Sequence, residues 1–172
     1  MINKRVKIKR NFFLFFFLVI SVAAFAYVAF AGHSVGTSAG GTSFNVAEDV
    51  QFAYNISVNN TAGQTANITQ LNITLNNTFV FISNSNGSDA FAVFTNTSSV
   101  LSWTNATPYL INESQKKYFW FNATASTPGN YNFTIMTLNV TGAYYSNISI
   151  TVNDTTAPNV SLNSPSAGYT NN

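Results

Sequence analysis

From Phe44 to Val152 hydrophobic and polar positions alternate in short runs. Val50, Phe52, Tyr54, Ile56 and Val58 are separated by Gln51, Ala53, Asn55, Ser57 and Asn59. A period of two turns one set toward a core and the other toward water, which is the mark of a half-buried strand. Ile68 is in even phase, whereas Leu71, Ile73 and Leu75 are odd, and the slip predicts a bulge near Thr69-Gln70. Phe79–Ser83 and Ala90–Phe94 flank Asn84-Ser85-Asn86-Gly87-Ser88, where Asn86-Gly87 predicts a tight hairpin turn. Val100–Trp103, Lys117–Ala125, Tyr131–Leu138 and Tyr144–Val152 bring the number to about eight strands. Past residue 32 no segment of useful length has helical periodicity.

Residues 44–153 therefore read as one all-β unit, near the ~100-residue size of an immunoglobulin-like antiparallel β-sandwich. A closed barrel of similar strand number is the alternative. Tyr131, after Pro128-Gly129 at the start of a late strand, stands where a tyrosine corner would fall; a plain turn-flanking tyrosine fits equally well. Residues 32–43 (GHSVGTSAGGTS) are small and predict a flexible linker. The alternation breaks over 154–158, a second linker, and resumes at Val160 and Leu162, so 159–172 reads as the start of a truncated second module.

Ahead of the strands, Lys4, Arg5, Lys7, Lys9 and Arg10 open onto the apolar run Phe12–Ala31. A basic flank, an apolar stretch and then small residues is the order of an export signal, and Ala29-Phe30-Ala31 offers an A-x-A cleavage site before Gly32. Left uncleaved, the same twenty residues would span a bilayer as a membrane anchor. The basic flank keeps the N-terminal end cytoplasmic in either case, so residues 32 onward are expected outside, on the cell surface or secreted.

Composition sharpens this picture. Charged residues make up 7% of the chain, against about 25% in an average soluble domain. Asn, Thr and Ser number 25, 20 and 18 and carry the polarity instead. Beyond residue 31, Lys116 and Lys117 stand against Glu48, Asp49, Asp89, Glu113 and Asp154, a balance of 2 − 5 = −3. No basic stripe exists for phosphate, which excludes nucleic acid as a partner. There is no Cys and one His, His33, set in the expected linker. No phosphate loop, nucleophile elbow or zinc spacing occurs, so neither an enzyme nor a bound cofactor is expected.

The stretch VNDTTAPNVSLNSPSAGYTNN (152–172) resembles the junction between tandem Ig-like modules of prokaryotic, especially archaeal, surface proteins. The upstream TPGNYNFTIMTLNVTGAYYSNISITVND (127–154) resembles the closing hairpin of such modules. The resemblance covers about the last 45 residues well and the remainder only in pattern. It implies repeated, often glycosylated modules of adhesins or envelopes, with neighbouring modules or surface proteins as partners.

N-x-[ST] acceptors number 15 in this chain, where its composition would give roughly five or six by chance. Strand alternation explains part of the excess, because outward positions i and i+2 both draw on Asn, Ser and Thr. The remainder favours N-linked glycans on outward asparagines, with Asn55, Asn72, Asn86, Asn105, Asn122, Asn132 and Asn147 as candidates. Asp154 beside Asn153 supplies oxygen ligands of the kind Ca²⁺ takes between modules, although one carboxylate is a thin set. Glu48 and Asp49 are neighbours, point to opposite faces of a strand and cannot act as an acid–base pair.

Lys116-Lys117-Tyr118-Phe119-Trp120-Phe121 sends Tyr118 and Trp120 to one face and Phe119 and Phe121 to the other. Both pairs buried would mean a central core strand and a structural or adhesive module. An exposed pair, Tyr118 and Trp120 for example, would be a stacking surface for sugar rings and would favour a carbohydrate-binding module attached to a longer exported enzyme.

Overall fold

The computed structural model describes residues 32–61, 66–105 and 107–158. The expected signal or anchor (1–31), the sequon at Asn159 and the start of a second module (159–172) lie outside the described residues. Eleven strands form among those described: β1 (His33–Thr37), β2 (Ser43–Ala47), β3 (Phe52–Asn60), β4 (Gln70–Thr74), β5 (Phe79–Phe81), β6 (Gly87–Ser88), β7 (Val93–Asn96), β8 (Val100–Thr104), β9 (Lys116–Ala125), β10 (Gly129–Asn139) and β11 (Gly142–Asn153). They make two sheets. Sheet I has the order β1-β3-β9-β5, with β6 beside β5 along the same edge of β9; sheet II runs β2-β11-β10-β4-β8-β7. Every pair is antiparallel except β2 with β11.

The alternation read from the sequence becomes the core. Tyr54, Ile56 and Val58 of β3 and Phe119, Phe121 and Ala123 of β9 point inward from sheet I. Leu71 and Ile73, Leu101 and Trp103, Phe133 and Ile135, and Ile148 and Ile150 meet them from sheet II. Tyr54 sits at the centre, with Phe121 stacked at 5.2 Å and Phe133 of the opposite sheet edge-on at 5.1 Å. Phe44 and Phe52 complete its surround at 5.2 and 5.0 Å. Each fully buried aromatic contributes about 1.5–3 kcal/mol by transfer, and each good ring pair about 0.5–1.5 kcal/mol more. That is what holds the sheets together where no disulfide does.

Tyr131 makes the tyrosine corner: its hydroxyl reaches back from the start of β10 to the carbonyls of Thr127 (3.1 Å) and Pro128 (3.3 Å). Gly129 lies under that ring with φ 149°, and a Cβ there would meet the phenol oxygen at 3.1 Å.

Three expectations are corrected. Residues 32–43 are not a linker: His33–Thr37 form β1, paired to β3 from His33↔Asn60 to Thr37↔Ile56. The small residues misled, because Gly36 and Ser34 face outward while Val35 and Thr37 bring the strand onto the sandwich. Nor do Phe79–Ser83 and Ala90–Phe94 form a hairpin about Asn86-Gly87. β5 and β6 both pair with β9 in sheet I, whereas β7 pairs with β8 in sheet II. Gly87 is a strand residue whose absent side chain makes room for Trp120; a Cβ there would stand 2.4 Å from the indole Cε2. The phase slip near Thr69 is a break in the strand, with Ile68 bridging Ile111 by itself before β4 begins at Gln70.

The Tyr54 hydroxyl is buried with no hydrogen-bond partner among the described residues, and burial raises its pKa far above the ordinary tyrosine value. An unpaired buried hydroxyl costs about 1–3 kcal/mol. Tyr54→Phe keeps the ring packing and is expected to raise unfolding free energy by about 1 kcal/mol, measured by urea denaturation; a loss of stability would show that the hydroxyl is bonded in solution.

Candidate functional site

Alternation places a polar carpet on both outer faces. On sheet II the outward residues of β10 and β11 meet in register, Asn130 opposite Thr151, Asn132 opposite Ser149 and Thr134 opposite Asn147. At each rung a hydroxyl donates to an amide oxygen: Thr151 Oγ1 to Asn130 Oδ1 (3.0 Å), Ser149 Oγ to Asn132 Oδ1 (3.2 Å) and Thr134 Oγ1 to Asn147 Oδ1 (3.3 Å). Two sequons, Asn132-Phe133-Thr134 and Asn147-Ile148-Ser149, thus bond one another reciprocally, the hydroxyl of each to the amide of the other. Cross-strand pairs of this type stabilise a sheet by about 0.2–1 kcal/mol each. The amide nitrogen, which is the atom a glycan would take, is left out of all three bonds.

The other acceptor candidates are placed less evenly. Asn132 and Asn147 are exposed, while Asn55, Asn72, Asn86, Asn105 and Asn122 are half-buried. Asn105 uses its Nδ2 on the Phe91 carbonyl (3.0 Å), and the Asn72 oxygen accepts from Gln70 Nε2 (2.9 Å). Asn139, also in a sequon, is buried and closes the β10–β11 turn through Oδ1, which accepts from the Thr141 and Gly142 amides.

On sheet I the outward row of β9 runs Lys116, Tyr118, Trp120, Asn122. Phe119 and Phe121 are wholly buried, whereas Trp120 is 40% exposed and Tyr118 half-buried. The Lys116 ammonium sits 5.2 Å from the centre of the Tyr118 ring. Asn55 faces Trp120 across β3, its Oδ1 buried and unpartnered. Beyond Tyr118 the row runs into a shallow cleft of about 280 Å³ lined by Ser34, Gly36, Ser57, Asn59 and Lys116. Rings, amides and hydroxyls dominate this surface, with Lys116 adding a positive charge at its end, and the rings suit the apolar face of a sugar. Asn55, Gly87 and the β1 residues were beyond sequence reasoning here, because strand pairing alone brings them beside Trp120.

His33 is the residue that sequence reading placed most wrongly. Its Nδ1 lies 2.5 Å from Thr137 Oγ1, its Nε2 lies 3.3 Å from Asn139 Nδ2, and its ring packs on Tyr144 at 4.5 Å. The protons follow from the network. Asn139 Oδ1 is held by three donors on Thr141 and Gly142, so its Nδ2 must be the group facing His33. Nε2 therefore accepts, and Nδ1–H donates to Thr137. An imidazole that donates to a hydroxyl cannot take its proton, so this Thr–His pair is arranged as a clasp between β1 and sheet II and not as a general-base dyad.

A second clasp lies at the far end of β11. Glu48 Oε1 accepts from the Thr155 amide (3.0 Å), the Thr156 amide (2.9 Å) and the Thr156 hydroxyl. Those bonds, the Thr156 hydroxyl first, hold the Glu48 carboxyl below its ordinary pKa. Asp154 Oδ1 also accepts from the Thr156 amide at 2.9 Å. Among the described residues no group of three metal-ligating side chains forms around it.

No family model matches the chain, and no curated protein resembles it in sequence. Solved structures do share its fold. A protein of Corynebacterium diphtheriae described as membrane anchored superposes with TM-score 0.55 at 9% identity, over 73% of this chain and 37% of that one. BcpA, the major pilin subunit of Bacillus cereus, gives 0.52 at 7% identity, over 70% of this chain and 40% of that one. BslA, a bacterial hydrophobin, gives 0.52 at 14% identity, over 73% of this chain and 97% of that one. The chain thus spans about two-fifths of the first two. Identities this low speak for a common sandwich fold.

The His33 clasp carries a pH signature. Burial lowers the pKa of its imidazole below the ordinary 6.5, so the unfolded chain takes up a proton before the folded one does. Stability is accordingly full above about pH 6.5 and declines as pH falls below it, with a later decline below about pH 4.5 as Glu48 is protonated. Thermal unfolding of wild type and His33→Gln between pH 7.5 and 5.5 checks the first step. The wild-type Tm is expected to fall across that window and the variant's to stay level; equal slopes would contradict the clasp.

Proposed function

We propose that this chain is an exported, glycan-bearing Ig-like module that acts as a spacer on the outside of the cell, by non-covalent contact and without making or breaking a bond. The observation that carries this reading is where the chain enters and leaves the sandwich. His33 is clasped beside the Asn139–Gly142 turn, at one end of β11, and the exit at Asn153–Thr156 is clasped by Glu48 at the other. Twelve residues of β11 separate the two ends, roughly 40 Å at strand rise. A module fastened at opposite ends adds its full length to whatever it is joined to.

The Ig-like reading is supported by the strand order. Sheets β1-β3-β9-β5 and β2-β11-β10-β4-β8-β7 correspond to the ABED and GFCC′C″ layers of variable-type domains, with β2 as an added first strand, and Tyr131 supplies the tyrosine corner. The connectivity differs in two places: β5 and β6 are laid on sheet I before β7 and β8 are added to sheet II, and the outer strand β7 precedes β8, the strand beside β4. Fold likeness to a pilin subunit and to a membrane-anchored protein supports a surface location, as do the basic flank and apolar run at residues 4–31. Neighbouring modules or surface subunits are the partners this reading implies.

A second reading, a carbohydrate-binding module, is favoured by one observation, the outward Tyr118 and half-exposed Trp120 beside a cleft lined mostly by small polar residues. The experiment for the main reading is export. The full chain with an epitope after Asn172, produced in a secreting host, is expected to be reached by antibody and protease on intact cells, or to appear in the medium starting at Gly32. An epitope protected until the cells are lysed would overturn it.

A further inference from the structure

Of the described acceptor asparagines, Asn147 alone combines exposure, an amide oriented by a bond to its oxygen, and an exposed aromatic ring two residues earlier on the same face. Tyr145 is 72% exposed, among the most exposed large apolar side chains of the domain, and makes no ring contact or side-chain hydrogen bond among the described residues. Side chains at i and i+2 of a strand stand about 6.5–7 Å apart on one face, within reach of a single sugar ring. Thr134 Oγ1 donates to Asn147 Oδ1, which turns Nδ2 outward and survives substitution at that nitrogen. Strand β2 pairs with β11 only from Ser149 to Asn153, so that side of β11 is clear of β2 at Asn147. Trp120 stands in the same relation to Asn122, but Asn122 is half-buried in mid-sheet, between Ala53 of β3 and the segment carrying Ser85, whose hydroxyl its backbone amide meets at 2.9 Å. Asn132, the other exposed candidate of this face, has Asn130 two residues before it and no ring.

We propose that Asn147 is an N-glycosylation site and that Tyr145 is the docking ring for its first sugar, which lies along β11 over the phenol. The proposal rests on the exported, glycan-bearing reading above. The modification is transfer of a glycosyl group from a lipid-phosphate-linked oligosaccharide by an export-side transferase. The bond from the anomeric carbon to phosphate oxygen breaks and the bond to Asn147 Nδ2 forms. The amide gives up one proton, and the lipid phosphate leaves carrying the electron pair. Once attached, the apolar face of the sugar covers the ring, removing exposed aromatic surface that would otherwise favour self-association.

The test uses the full chain secreted from an N-glycosylating host. Site-resolved mass spectrometry is expected to find sugar on Asn147. The ring protons of that sugar are expected to be shifted upfield by the phenol in wild type and Tyr145→Phe, and to return to ordinary positions in Tyr145→Ala. Enzymatic removal of the glycan should lower Tm by roughly 2–5 °C in wild type and by less than half of that in Tyr145→Ala. Sugar on other sequons with Asn147 bare would overturn the proposal and leave the glycan-bearing reading standing. Sugar on Asn147 with no ring shift, or a penalty for its removal that ignores Tyr145, would overturn the docking. If no asparagine carries sugar, both fall.

Discussion

The two sheets are joined by aromatic packing around one ring. Tyr54 of sheet I touches Phe121 beside it, Phe133 across the core, and Phe44 and Phe52 at the side. Phe79 extends the cluster to Phe133 at 4.8 Å, and Trp103 against Phe119 closes the other half at 5.6 Å. No cysteine cross-links the layers, and with 7% charged residues the chain has few ion pairs to draw on. Inter-sheet burial therefore has to offset the ordering of two layers almost unaided. Truncating Phe133, which packs against Tyr54, Phe79 and Phe121, removes three of these ring contacts, and such core truncations cost about 3–5 kcal/mol.

Inward aromatics dictate what faces outward. Once period two commits every second residue to the core, the remaining positions meet water or a neighbouring strand. Here they are Asn, Ser and Thr in place of charge. The hydroxyl-to-amide rungs on β10 and β11 show that these residues organise the surface as well as solvate it. The edge strands β1, β2, β5 and β7 carry no Asp, Glu, Lys or Arg, the usual guard against strand addition. Bulky neutral groups on outward asparagines would supply that guard without altering the charge.

Much of this was legible in advance, and the reasons it failed elsewhere are physical. Period two identifies β3, β4 and β8 to β11 because each buries one face. Pro128-Gly129-Asn130-Tyr131, by contrast, leaves a tyrosine corner and a plain turn tyrosine equally open, and only the hydroxyl bonds to Thr127 and Pro128 decide it. The partition of Tyr118 and Trp120 from Phe119 and Phe121 follows from the same rule. β1 was missed because an edge strand with glycine and serine on its outer side has the composition of a linker. Asn86-Gly87 was read as a turn because local sequence cannot reveal that Trp120, 33 positions later, needs the space above Gly87. The His33 clasp was invisible for the same reason: Thr137 and Asn139 lie more than a hundred residues away. Of the acceptor candidates, sequence marks the pattern, and only register separates exposed Asn147 from Asn105, whose nitrogen is already engaged.

The chain enters and leaves at opposite ends of the sandwich, each end held by a side-chain clasp. With no native cysteine, Ser34→Cys and Ala157→Cys place two unique spin labels beside the two clasps. Double electron–electron resonance on the folded chain is expected to return one narrow distance of about 35–40 Å, the span of β11. A distance below about 20 Å, or a spread covering most of the range the chain could reach, would contradict the account.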